Sequence, residues 1–195
     1  MRLLKKAMVG VVATVLIGSA GVAHAESKLR WGLTGDATSM DPQGRLAATE
    51  FIFLRAMYEG LTTTNSALEI LPALAQSWEN PEPTLWRFKL RQGIKFHEGQ
   101  DFTAEDVVFT IDRTRAETSA FKVFTSTIDT VKALDDHTIE IRTKAPDPLF
   151  LYNLASVFMM DSGWAKEHGI EKPLTLKPQK STILTTPPME PVLIA

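Results

Sequence analysis

The chain of 195 residues has no cysteine. That excludes a disulfide framework, a thiolate metal site and a lipid-modified N-terminal cysteine. It has no run of basic residues either, and no Gly-x-Ser-x-Gly elbow, Walker loop or Gly-x-Gly-x-x-Gly turn. The usual nucleophile-elbow and nucleotide-cradling signatures are therefore missing. No apolar stretch, the one near the N-terminus included, reaches the roughly 20 residues a membrane span needs. Internal repeats are absent as well.

The N-terminus reads as an address. Arg2, Lys5 and Lys6 form a positive region, Ala7–Gly21 is apolar and uncharged, and Ala23-His24-Ala25 gives the small-x-small pattern of a signal-peptidase site. Cleavage is expected after Ala25, with residues 1–25 as signal peptide and the mature chain exported into a bacterial periplasm. Of 21 Lys+Arg, three leave with the signal, so 18 cations remain against 23 acids. A mildly acidic exported chain is a poor nucleic-acid binder and has little attraction for anionic membranes.

Leu29–Leu33 alternates as a first strand, and Thr34–Pro42 follows as a polar loop. Ala47–Tyr58 has helical spacing, closed by Gly60. Leu68–Leu74 and Ala75–Trp78 are short apolar pieces, and Asn80-Pro81-Glu82-Pro83 is expected to turn. Trp86–Arg91 alternates as a clear strand with Trp86, Phe88 and Leu90 inward, and Ile94–Phe96 reads as a short return strand. Ile128–Leu134 and Thr138–Thr143 make a strand pair joined by Asp135-Asp136-His137. Asp147–Ala155 is expected to be a short helix. Strands and helices mix without a βαβ rhythm, which predicts a mixed α/β domain.

The stretch Leu90–Phe109, LRQGIKFHEGQDFTAEDVVF, concentrates His97 with Glu98, Asp101, Glu105 and Asp106. A zinc helix would need His-Glu-x-x-His, but His97-Glu98 runs into Gly99-Gln100-Asp101, and His137 and His168 lie far away in sequence. No metal or other cofactor is expected. Gly99 suits a loop with positive φ. Thr103-Ala104-Glu105-Asp106 resembles a capping box that starts a helix through Val107, Val108 and Ile111, with Asp112 facing solvent. A hydrolase using two carboxylates across a cleft, Glu98 and Asp101 among the candidates, remains the alternative of another class.

Taken in order, several segments carry a resemblance. They are Met40-Asp41-Pro42, Tyr58-Glu59-Gly60-Leu61, Pro72-Ala73-Leu74-Ala75-Gln76-Ser77-Trp78, Trp86 through Gly99, and Phe102 through Phe109. Val131–Leu134 and Thr138–Ile141 also fit. From Leu29 to Pro173 the chain resembles the extracellular solute-binding proteins of family 5. These are periplasmic receptors that deliver oligopeptides, dipeptides, nickel chelates and some sugars to ABC importers. The resemblance implies a monomeric receptor without catalytic residues. Two lobes of a type II-like fold close on the ligand, and an inner-membrane ABC permease is the partner. Peptide is the leading solute, with nickel chelate or sugar as alternatives. It also implies that the loop and helix start after Met40-Asp41-Pro42 face the cleft, making Arg45, Thr49 and Glu50 candidates, and that Phe121 presents an aromatic ring to ligand. Such relatives are roughly two to three times longer, so residues 26–173 are expected to form an incomplete N-terminal lobe. Residues 174–195, proline-rich and without glycine, are expected to be a disordered tail, read from a shifted frame that begins between Pro173 and Met189.

Overall fold

Alternation in one strand organises the larger sheet. In a strand, successive side chains point to opposite faces. In β4 (Leu85–Leu90), Phe88 and Leu90 are buried while Lys89 is exposed. The computed structural model describes residues 37–174 and the backbone of residues 192–193, all within one compact unit, Leu33–Ala195. The expected strand Leu29–Leu33, the signal sequence and nearly all of the tail lie outside the described residues.

Strand β4 lies between β3 (Ala75–Glu82) and β7 (Thr138–Thr143), and β6 (Ile128–Asp135) takes the far edge. The order is β3-β4-β7-β6, with every pair antiparallel. Register sets Phe88 opposite Ile139 and Trp86 opposite Ile141 on the inner face. On the outer face, Arg87 lies between Glu79 and Glu140, at 2.8 and 3.2 Å. One apolar and one charged face is the usual arrangement for an antiparallel sheet open to water on one side.

The inner face is covered by α2 (Ala104–Arg115), through Val107 and Ile111, and by α3 (Phe150–Leu154). Trp86, only partly buried, tilts against Phe150 at 5.3 Å. A second cluster joins Leu54 of α1 (Ala48–Met57) and Tyr58 just beyond it to Phe121, Phe158, Met160 and Trp164 of α4 (Ser162–Glu167). A small antiparallel pair, β1 (Thr62–Thr64) with β2 (Ile70–Pro72), stands apart from the four-stranded sheet. Among the described residues no helix is long and apolar enough to cross a membrane.

The sequence expectations hold at the hairpin Asp135–His137, where the His137 N–H donates to Asp135 Oδ1 at 2.8 Å. They hold at Gly99 too, whose φ is +94°. Four expectations need correction. The Asn80–Pro83 segment does not turn as a whole. β3 runs on to Glu82, because an edge strand tolerates Pro81 and the Asn80 side chain donates to the carbonyls of Glu82 and Leu85, at 2.6 and 2.8 Å. Ile94–Phe96 does not return along β4. β5 (Lys95–Phe96) bridges to Asp101 across its own loop and pairs with β8 (Val192–Leu193). The helix expected over Asp147–Ala155 is shorter, because Asp147 Oδ1 accepts from the Leu149 N–H at 2.9 Å and holds a turn ahead of α3. Gly60 does not close α1, which ends at Met57. A Cβ on Gly60 would stand 2.6 Å from the Leu154 carbonyl oxygen, so its role is close packing against α3.

Candidate functional site

The segment from Thr38 into the first turn of α1 brings three polar side chains together. Glu50 is buried although it sits in the first turn of its helix, where the positive end of the dipole favours a carboxylate. Its Oε1 accepts from the Thr38 hydroxyl at 2.7 Å and from the Thr38 N–H at 3.2 Å, and it faces Arg45 Nε at 3.4 Å. Arg45 in turn donates to the Thr38 hydroxyl oxygen at 2.7 Å. Burial disfavours the Glu50 anion, but the hydrogen bonds and the Arg45 charge together outweigh it and hold the carboxyl below its ordinary range. Arg45 keeps 49% of its side chain exposed. Thr49 is half-buried on the same helix turn. The structure therefore groups Arg45 and Glu50 with Thr38, a residue the sequence had not singled out.

Phe121 is placed differently. It is fully buried, 6.2 Å from Phe51, 6.1 Å from Phe158 and 5.7 Å from Phe124 between ring centroids. In this state its ring is core and offers no surface to a ligand.

Beneath the loop lies a larger polar network. Asp41 and Arg113 are both buried and pair through two parallel bonds, Nη1 to Oδ1 at 2.8 Å and Nη2 to Oδ2 at 2.9 Å. Arg113 also donates to Gln43 Oε1, and its Nε donates to the Ile170 carbonyl at 3.1 Å. Gln43 Nε2 reaches the Phe158 carbonyl at 2.8 Å. The planar guanidinium fork suits a carboxylate in a way an ammonium does not. Asp41 was visible as part of Met40-Asp41-Pro42, but its partner lies 72 residues away. The available signal was Arg113 itself, a cation three residues after Thr110 and thus on the same buried face of α2.

Glu59, half-buried beside Gly60, has its carboxyl raised by burial, against the opposing pull of Arg91. The charged stretch that suggested chemistry resolves into local structure. Asp101 pairs with Lys95 at 2.7 Å in an exposed contact, and Glu98 and His97 are exposed. Asp106 returns to the Thr103 N–H at 2.9 Å as the far half of the capping box. Among the described residues, no three His, Cys, Asp or Glu are placed to hold a metal ion.

Residues 69–182 match the family described as bacterial extracellular solute-binding proteins, family 5, middle region. The periplasmic oligopeptide-binding protein OppA of Escherichia coli is 29% identical over 163 residues, which cover 73% of this chain and 30% of the relative. A di/tripeptide-binding protein of Pseudomonas aeruginosa is 28% identical over 173 residues, covering 77% of this chain and 32% of the relative. Among solved structures, the E. coli murein tripeptide binding protein MppA superposes with a TM-score of 0.66 at 26% identity, over 69% of this chain and 31% of that one. DppA of Helicobacter pylori, solved with the peptide STSA, gives 0.62 at 26%, over 70% and 32%. The chain thus spans about a third of the length of these relatives.

Proposed function

The chain belongs to family 5 of the bacterial extracellular solute-binding proteins, and from that premise we propose that it acts as a solute-binding component of an ABC importer, with short peptides as the solute. The supporting observation is the match over residues 69–182, which takes in the four-stranded sheet, α2 and α3, together with the superposition on a receptor solved with a peptide and on a murein tripeptide binding protein. Relatives of the chain are periplasmic binding proteins. Export with cleavage after Ala25, a monomeric state and delivery to an inner-membrane permease are part of the same proposal.

In this reading the chain contributes one wall of a ligand cleft, and the loop and helix start over Thr38–Glu50 form its polar lining. Arg45 is the group available to a peptide carboxylate or carbonyl, since half its side chain is open. Thr49 offers a hydroxyl beside it. Glu50 is committed to Thr38, so its contribution is to hold the Thr38–Arg45 pair in place. Phe121 supports α1 from the core instead of touching solute. Binding of this kind does no chemistry. It buries the solute between lobes, and the closed form is what a permease reads.

Isothermal titration of the mature chain with di- to pentapeptides tests the proposal. Saturable heat with peptides, weakened by Arg45→Ala, supports it. Heat with a nickel–histidine chelate or a sugar conjugate alone overturns the peptide assignment, and no heat with any of the three overturns the receptor role of this chain.

A further inference from the structure

The buried network under the loop reaches three separate parts of the chain, two of them bonded directly to Arg113 and the third through Gln43. From the last turn of α2 its fork holds Asp41, its Nη1 also holds Gln43 Oε1, and its Nε holds the Ile170 carbonyl. Asp41 passes the tie onward at both ends of its carboxylate. Oδ1 accepts from the Gln43 N–H at 2.9 Å, and Oδ2 accepts from the Leu174 N–H at 2.9 Å. Gln43 extends it to a third segment, since its carbonyl accepts from the Ala120 N–H at 3.0 Å and from the Ser119 hydroxyl at 3.3 Å. The Ser119 hydroxyl oxygen then accepts from the Phe121 N–H at 3.1 Å. So Ser39–Gly44 and Ile170–Leu174, far apart in sequence, meet at one guanidinium, and Ser119–Phe121 joins them through the Gln43 carbonyl.

We infer that Arg113 is a positioning residue that locks these three segments into a single rigid body. The chemistry favours this over simple charge neutralisation. Asp41 alone would neutralise Arg113, yet four of the five guanidinium N–H groups are spent on four oxygens of three residues from two segments, a geometry that only a planar, forked donor satisfies. A buried pair held by further hydrogen bonds to its surroundings is rigid, and removing one partner leaves the other charge stranded. The consequence for binding is direct. Arg45 follows Asp41 by four residues, so the body held by Arg113 carries the proposed ligand contact. That last step alone rests on the receptor reading.

Three backbone amides report on the lock without any ligand, because Gln43, Ala120 and Leu174 each donate into the network. Hydrogen–deuterium exchange on the full chain is the test. In the unaltered protein the three amides are expected to share one protection factor, within about tenfold, as members of one cooperative unit do. In Arg113→Lys, which keeps the charge and loses the fork, all three should exchange together about 100-fold faster. The β4–β7 ladder should keep its protection. Three unrelated protection factors in the unaltered chain would overturn the inference before any variant is made. So would Arg113→Lys with unchanged exchange at these amides, which would reduce Arg113 to a counter-charge. A uniform rise that includes the sheet would assign Arg113 to general stability instead. Failure of peptide binding with the exchange pattern intact would leave the lock standing and remove only the receptor reading.

Discussion

The Asp106 carboxylate ties the starts of two helices: Oδ2 accepts from the Thr103 N–H ahead of α2, and Oδ1 accepts from the Ser162 N–H at the start of α4, each at 2.9 Å. Helix starts leave amides without partners, and here one buried side chain serves two of them. Asp106→Ala removes both acceptors at once. It is expected to lower unfolding free energy by about 2–3 kcal/mol, combining a lost cap with a stranded buried amide. Urea unfolding followed by circular dichroism measures it, and a loss under about 0.5 kcal/mol would contradict this assignment.

Two buried carboxylates give opposite pH signatures. For Asp106, burial dominates over the hydrogen bonds from Ser162 and Thr103, so the folded-state carboxyl is raised. A raised acid holds its proton more tightly when folded. Its linked stabilisation is complete below the unfolded value of about 3.9 and is lost as pH rises through the folded value. The stability of the unaltered chain relative to Asp106→Asn should therefore decline from acid toward neutral pH.

For Glu50 the sign reverses. Its carboxyl is held low despite burial, by Thr38 and Arg45, so its contribution is complete above about 4.3 and lost as pH falls through the folded value. Relative to Glu50→Gln, the unaltered chain should lose its advantage on acidification. Urea midpoints at a series of pH values compare both pairs. Parallel pH trends for the two variants would show that one of the two environments is misassigned.

Phe121 separates core from ligand surface. Removing a fully buried phenylalanine costs about 3–5 kcal/mol, through lost transfer energy plus the cavity left behind. Phe121→Ala should approach that figure, and Phe121→Leu should lose much less. A cost near zero for Phe121→Ala, with weakened peptide binding, would return the ring to the ligand side.

Gly60 should not tolerate a methyl group. A Cβ there meets a backbone oxygen, Leu154 O, at 2.6 Å, and backbone cannot swing away as a side chain can. Gly60→Ala is expected to cost about 1–3 kcal/mol by overpacking. In contrast, Asp101→Asn breaks only an exposed pair with Lys95, and should change stability by no more than about 1 kcal/mol.

What could be read in the sequence was local. Trp86, Phe88 and Leu90 alternate because one face of β4 is core. Thr103 and Asp106 sit three apart because a helix start needs that spacing. The hairpin at Asp135–His137 closes through its own side chain. The misreadings share a cause, which is that distant partners decided them. Pro81 stays in a strand because, among the described residues, β3 has no neighbour on one side. Gly60 is fixed by a carbonyl from α3. Phe121 is core because Phe51 and Phe158 arrive from other elements. Arg113 could not be paired with Asp41 from spacing alone, and Thr38 became visible only once Glu50 turned back toward it. The cleft-side candidates Arg45 and Thr49 came from family resemblance, and no periodicity in the chain points to them.

The central claim is that the loop and helix start over Thr38–Glu50 face a peptide ligand. Nuclear magnetic resonance titration of the isotopically labelled chain with a short peptide tests it residue by residue. The account predicts saturable shifts in the amides of Thr38, Arg45, Thr49 and Glu50, with Arg87 and Glu140 on the charged outer face of the sheet unmoved. Saturable shifts centred on that outer face, or none at Arg45 and Thr49 at saturating peptide, would contradict it.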